Sequence, residues 1–357
     1  MKKSFFLFIL ALSILLSGCL PAFLQEPNTP AGPDLPPAAP EDIPVFSLPV
    51  PEDFPEYALP EQEAAQPPEE AQYQDNWTPI LAGRKMTANS WFIYDCQAQA
   101  FLTTSGDPEA PVFPASVTKL FAAYVALQYL RPEDTLTAGS ELELIPEDAS
   151  VAGLKEGDQL KVSQLIDAMM LPSGNDATFV IATAIGRMLA ENSQLEPEAA
   201  IARFVEQMNR HAALVGMTDT RFVTPDGWHD EAHFTSMEDL VKIGMLAWTH
   251  PIVSQSAASV VSDSISMDEE RTLQWYNSNL LLHPTQDIYC PYAVGLKTGF
   301  TTPAGHCLLS AFEAEGRKIL IGVFGCPNSY DRYAETLLLF TQAFDMPIPE
   351  LPAEPTE

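Results

Sequence analysis

The chain of 357 residues contains 32 prolines, about 9% against the roughly 5% usual in proteins, and carries a net charge of −30. So acidic a chain is repelled by phosphate backbones and anionic lipid head groups, which argues against nucleic acid as a partner and against polybasic membrane attachment. With 46% hydrophobic residues, including 19 Phe and 5 Trp, it can bury a sizeable core, so collagenous and wholly disordered classes are excluded as well.

In chain order, Met1-Lys2-Lys3 and the apolar run from Phe5 to Leu16 form a positive n-region and an h-region too short to span a bilayer. Residues 1–18 therefore read as a signal peptide. Leu16-Ser17-Gly18-Cys19 resembles the lipobox of bacterial lipoproteins, which implies cleavage before Cys19 and diacylglycerol on its thiol; an ordinary signal with a chance Cys is the alternative. Two or more acyl chains on Cys19 would hold the chain stably at a membrane. Residues 20–76 carry 14 of the prolines and 12 acidic residues without a Lys or Arg. They cannot bury enough apolar surface to offset chain entropy and are expected to form a disordered tether with a reach between about 40 and about 175 Å. The expected plan is a signal (1–18), a lipidated Cys and tether (19–76), a folded domain (77–345) and a disordered acidic tail (346–357). An exported, lipid-anchored protein on the outer face of a bacterial cytoplasmic membrane is the expectation.

Within the folded part, Trp91–Asp95 and Ala98–Thr103 read as a hairpin. An apolar helix follows from Pro114 to Leu127, with Ser116 in its first turn and a stop at Arg131-Pro132. Further helices are predicted over Ser163–Met170, Asp176–Leu189, Pro197–Val215 and Ser236–Thr249, the last opening on a capping box at Ser236-Met237-Glu238-Asp239. Tyr292–Thr298, His306–Glu313 and Lys318–Phe324 are strand-like, with Glu315-Gly316 as a turn, and Tyr330–Phe344 closes the domain as a helix. Strands at both ends with helices between them predict an α+β fold, an antiparallel sheet against a helical lobe. Export permits disulfides, but Cys96, Cys290, Cys307 and Cys326 allow three pairings that spacing does not decide. Neither CxxC nor HExxH spacing occurs, so no metal site is expected.

Three short motifs occur in order: Ser116-x-x-Lys119 at a helix start, Ser173-Gly174-Asn175 between two helices, and Lys297-Thr298-Gly299 at a strand end. Each alone has a bland reading, as a capping serine with a surface lysine, a turn with a helix cap, or an edge strand guarded by lysine. Together they point to nucleophilic catalysis. Helical spacing puts Ser116 and Lys119 on one face, where the amine reaches the hydroxyl. Lys119 acts as a base once burial and a second ammonium, Lys297, lower its pKa. The helix N-terminus favours negative charge developing on a substrate oxygen. A strand edging the cleft can pair with an extended peptide, and Gly299 allows close approach of a ligand.

The motif set resembles that of the serine-type D-Ala-D-Ala carboxypeptidases, the low-molecular-mass penicillin-binding proteins of the peptidase S11 type. The resemblance extends to Pro114–Lys119, Leu171–Ala177, Thr224-Pro225-Asp226-Gly227 with His233, and Gly295–Thr301 followed by Ala304-Gly305 and Cys307, and covers about residues 77–345. It implies a five-stranded antiparallel sheet flanked by helices plus an all-helical lobe, a hydrolase needing no cofactor, and peptidoglycan stem pentapeptides as substrate. It also implies roles. Ser116 attacks the penultimate D-Ala carbonyl, Lys119 takes the proton and Ser173 relays it to the leaving D-Ala. Asn175 holds the substrate amide, Lys297 and Thr298 hold the terminal carboxylate beside Gly299, and the backbone N–H groups of Ser116 and Phe300 form the oxyanion hole. β-Lactams are implied as covalent inhibitors of Ser116.

Two departures from better-known members are expected: a chain that stops after the catalytic domain, with an N-terminal lipid in place of a C-terminal anchor, and Phe at position 300. A class A β-lactamase is the alternative enzyme, but no Glu-x-x-Leu-Asn motif lies between Asn175 and Lys297. A catalytically silent peptidoglycan- or penicillin-binding lipoprotein is the alternative binder.

Overall fold

The structure is a computed structural model and describes residues 77–346. The expected signal, Cys19, the tether and the tail beyond Met346 lie outside the described residues. At the N-terminal side, β1 (Ser90–Asp95) and β2 (Ala100–Thr104) form the predicted hairpin, turned by Asp95, whose Oδ1 accepts from Gln97 N at 3.0 Å and Ala98 N at 2.9 Å. The apolar helix follows as α1 (Thr118–Ala126), and every residue in it except Tyr124 is buried. Short strands β3 (Thr135–Thr137) and β4 (Gln159–Lys161) pair across its exit, and α2 (Val162–Met170), α3 (Asn175–Leu189), α4 (Pro197–Leu214) and α5 (Met237–Thr249) build a lobe around it.

Sequence patterning missed three features here. Pro251 at the first helical position starts α6 (Pro251–Ala258) directly after His250, which ends α5 and starts the next helix. The strand pairs β3–β4 and β5 (Ile265–Ser266) with β6 (Thr272–Leu273) are too short for a period-2 signal. The predicted capping box is only half formed. Ser236 Oγ accepts from Asp239 N at 3.2 Å, but the Asp239 carboxylate turns away to Asp219 N, Thr220 Oγ1 and Lys242 Nζ.

The C-terminal strands β7 (Ala293–Thr301), β8 (Gly305–Ala314) and β9 (Arg317–Cys326) join β1 and β2 in one five-stranded antiparallel sheet of order β2-β1-β9-β8-β7. Glu315 and Gly316 both have positive φ, 51° and 73°, as a tight two-residue hairpin turn requires. The two faces of β8 and β9 serve different cores, as the period of two dictates. Cys307, Leu309, Ala311 and Leu320 face the helical lobe, whereas Leu308, Phe312, Ile319, Ile321 and Val323 face α7 (Asp331–Ala343). The fold is thus the expected α+β arrangement, with its sheet between a helical lobe and a C-terminal helix. The four thiols in this region are free.

One buried carboxylate ties the sheet's entrance to α7. Glu335 has no exposed surface; its Oε1 accepts from Thr87 N at 2.8 Å and Thr87 Oγ1 at 2.5 Å, and its Oε2 from Ala88 N at 3.0 Å. Glu335→Ala strands these three donors and the Cys326 thiol, 3.7 Å from Oε2, and should lower the unfolding free energy by about 2–4 kcal/mol. Urea denaturation measures this, and a change below about 0.5 kcal/mol would refute it.

Candidate active site

The chain enters the site on a strained turn. Pro114 precedes a 3-10 turn, Ala115–Val117, so Ser116 sits just ahead of α1 and not in its first α-helical turn as predicted. Ala115 holds φ at +48°, a conformation that L residues adopt only when their surroundings impose it. Two glycines let the neighbouring backbone close tightly on it. A Cβ on Gly227 would lie 1.9 Å from Ala115 O, and one on Gly299 would lie 3.0 Å from Pro114 O and 3.1 Å from Ser116 N. Gly299 was expected to make room for a ligand; it makes room first for the turn that carries Ser116.

Lys119 Nζ lies 2.8 Å from Ser116 Oγ and donates to Asp226 O at 3.0 Å. The lysine is entirely buried, and burial pushes its pKa down to about 8 against the opposing pull of Asp226 and Asp176. Lys297 is buried as well, and burial first, then Lys119 and Arg332, hold it well below the ordinary lysine range; the repulsion between the two ammoniums is mutual, so each favours the neutral form of the other. His233 braces the same helix. Its Nδ1 accepts from Val223 N at 3.2 Å and Thr224 N at 3.3 Å, so the ring is neutral and Nε2–H donates to Thr118 Oγ1 at 2.9 Å. Burial lowers the His233 pKa to about 4, which keeps it neutral at physiological pH.

The second motif lies where α2 ends. Pro172 stops the helix, Ser173 takes φ +65°, and Gly174 caps α3, whose first residue is Asn175. Asn175 N donates to Ser150 O at 2.8 Å. The next residue, Asp176, accepts from Ala152 N and Gly153 N at 2.8 Å and from Leu154 N at 3.0 Å, fixing residues 152–154 just after Ser150, which lines the cleft. The third motif lies within β7, the sheet's edge strand, and not at its end, because pairing with β8 continues to Thr301↔Gly305. A bulge between Ala293 and Gly295 and φ +78° at Leu296 precede Lys297. Lys297 Nζ donates to Thr298 O at 3.2 Å and to Thr298 Oγ1 at 3.4 Å. Phe300 is half exposed, with its ring stacked on His306 at 4.3 Å.

All three motifs meet at a cleft of about 430 Å³ lined by Ser116, Ser173, Asn175, Thr298, Gly299 and Phe300, while Lys119 and Lys297 are buried behind it. Sequence reasoning missed Asp148, Trp228, His229, Ser278 and Arg332 in the lining. Arg332 arrives on α7, donates to Gly299 O at 3.1 Å and adds a guanidinium that stays charged beside the two titratable lysines. No local pattern marks it, since it reaches the cleft only through the packing of α7 on the sheet. A hydroxyl bonded to a titratable amine, beside buried cations and hydroxyl donors, suits attack on a carbonyl close to an anionic group.

The family profile described as Peptidase_S11, D-alanyl-D-alanine carboxypeptidase, matches residues 78–328. Among curated proteins the chain is similar to D-alanyl-D-alanine carboxypeptidase DacC of Escherichia coli, 27% identical over 270 residues (72% of this chain, 61% of that one). It is also similar to DacF of Bacillus subtilis, 24% identical over 235 residues (65% and 56%). Among solved structures, the Streptomyces K15 DD-transpeptidase superposes with a TM-score of 0.64 at 25% identity, covering 73% of this chain and 98% of that one. The chain thus spans about three fifths of the length of the curated relatives it matches.

Because a Lys119 pKa near 8 leaves about one molecule in ten with a neutral amine at pH 7, acylation of Ser116 by a reactive ester should rise with pH through a midpoint near 8. Lys119→Arg, which stays charged, should lower the rate by about 10²–10⁴. Stopped-flow acylation across pH 5–10 checks both; a flat profile would exclude Lys119 as the base.

Proposed function

The chain belongs to the peptidase S11 family of D-alanyl-D-alanine carboxypeptidases, and from that premise we propose that it removes the terminal D-Ala from peptidoglycan stem peptides through an acyl-enzyme on Ser116. The observation that carries this reading is the 2.8 Å contact between Ser116 Oγ and the buried Lys119 amine at the floor of a cleft backed by a second buried lysine.

The substrate's terminal carboxylate binds at Thr298, where Lys297 and Arg332 supply positive charge, and this anion favours the protonated form of Lys297. Neutral Lys119 takes the Ser116 proton as Oγ adds to the penultimate D-Ala carbonyl. The developing oxyanion is met by the backbone N–H groups of Ser116 and Phe300, and Asn175 holds the substrate amide. The C–N bond then breaks as the proton held by Lys119 passes through Ser173 to the leaving nitrogen, and D-Ala departs. Water adds to the ester, losing its proton to Lys119, which returns it to Oγ as the ester C–O bond breaks and Ser116 is freed. A β-lactam, carrying its own carboxylate and strained amide, enters the same path and acylates Ser116.

The proposal includes an exported, lipid-anchored protein on the outer face of a bacterial cytoplasmic membrane. The lipobox-like Leu16–Cys19 and the basic and apolar residues before it support that part, and the proline-rich residues 20–76 give the reach from membrane to wall.

The test is release of D-Ala from a pentapeptide ending in D-Ala-D-Ala. Wild type should release it and be labelled covalently by penicillin, and Ser116→Ala should lose both, with turnover at least about 10³-fold lower. No release by wild type, or release by Ser116→Ala at the wild-type rate, would overturn the assignment.

A further inference from the structure

Ser278 belongs to none of the motifs, yet three parts of the site converge on it. Its N–H donates to Leu171 O at 2.9 Å, just ahead of Pro172-Ser173. Its carbonyl accepts from Tyr333 Oη at 2.6 Å; because Arg332 Nη2 already donates to that phenol oxygen at 2.9 Å, the phenol hydrogen is committed to Ser278. Its hydroxyl lies 2.7 Å from Thr298 Oγ1 inside the cleft.

The flanking residues leave Ser278 little freedom. Asn277 and Asn279 are buried carboxamides: Asn277 donates to Ala257 O at 3.1 Å and Ser259 O at 2.8 Å and accepts from Asn279 N at 2.9 Å, while Asn279 accepts from Leu281 N at 3.2 Å. A loop serine fixed by its own backbone and by both neighbours has a hydroxyl of defined position, which an unbraced loop lacks.

The donor count assigns its role. Thr298 Oγ1 has one hydrogen and two acceptor sites. A carboxylate only accepts, so an anion bound at Thr298 takes that hydrogen. Lys297 Nζ, at 3.4 Å, only donates when charged, and the 2.7 Å bond must then run from Ser278 to Thr298.

We propose that Ser278 is a positioning residue of the carboxylate pocket, whose hydroxyl donates to Thr298 Oγ1 and thereby turns the Thr298 hydrogen toward the terminal carboxylate of the substrate. The proposal rests on the carboxypeptidase reading above and adds to it the residue that sets the polarity of its anion contact.

The full chain, its Ser278→Ala and its Ser278→Thr variants are compared on Nα,Nε-diacetyl-Lys-D-Ala-D-Ala and on the same peptide with a C-terminal amide. Ser278→Ala should raise KM for the free acid by about 5–20-fold with kcat within about twofold, and lower the preference for acid over amide by a similar factor. Ser278→Thr keeps the donor and should keep both values near wild type. A wild-type KM and preference in Ser278→Ala, or a Ser278→Thr defect equal to that of Ser278→Ala, would overturn the role. Should Ser278→Ala not fold by circular dichroism, Tyr333→Phe decides: freeing the Ser278 carbonyl must lower the same preference, and an unchanged preference overturns the role. If wild type cleaves neither peptide, the carboxypeptidase reading falls and the Ser278 role with it, an outcome distinct from altered selectivity in an active enzyme.

Discussion

The site depends on an amine that has no contact with water. Lys119 lies in a helix otherwise made of apolar residues and a buried threonine, and a charged ammonium there is costly. The cost is moderated by Asp226 and Asp176 and by the bond to Asp226 O, so the amine is neither permanently charged nor permanently neutral. A lysine in water would be almost wholly protonated at pH 7 and useless as a base. The same burial explains the helical lobe: α2 to α6 are needed to enclose α1, and the enclosed helix holds the lysine beside Ser116.

The second constraint is steric. Each motif is entered through a non-glycine residue with positive φ: Ala115 before Ser116, Ser173 itself, and Leu296 before Lys297. Such residues cost of order 1–3 kcal/mol each and persist only where packing over-determines them. The packing here is identifiable. Gly227 and Gly299 press on the Ala115 turn, Gly174 N is tied to Ala168 O at 2.9 Å, and the β7 bulge is locked by pairing with β8. The rigid sheet and the buried lobe hold the strain, and the strain aims the reactive groups into one cleft.

Much of this was legible in the sequence, for reasons that also explain what was not. The sheet was visible because Leu308–Phe312 is apolar but for Ser310 and Ile319–Phe324 is a continuous apolar run, and the terminal helix because Tyr330–Phe344 is amphipathic. The motif residues were visible because helical spacing and turn chemistry are local. Arg332, Ser278 and Trp228 were not, because each reaches the cleft through a long-range fold decision, such as α7 crossing the sheet or the Thr224–Gly227 loop closing on Ala115. The electrostatics were half legible. A buried Lys119 beside a second ammonium, Lys297, was foreseen, but the burial of Lys297 and the third charge near it, Arg332, depend on packing that no local pattern shows.

An open sheet edge is usually a liability, since unpaired backbone groups invite another chain. Here β7 is the edge, and its use is divided. Around Gly299 the edge is occupied by Pro114–Ser116, which can come so close only because position 299 has no side chain. On either side, Thr298 and Phe300 line the cleft, two residues apart and therefore on the same face of the strand, about 6.6 Å from each other along it. Ser116 is level with the residue between them. A peptide lying along this edge would meet the Thr298 hydroxyl on one side of Ser116 and the Phe300 ring on the other. That order suits a substrate whose leaving group is short and anionic and whose acyl part is the longer and less polar. The overall charge of −30 does not oppose it, because Lys297, buried behind the cleft, and Arg332, bonded to Gly299 O, place positive charge locally on this side.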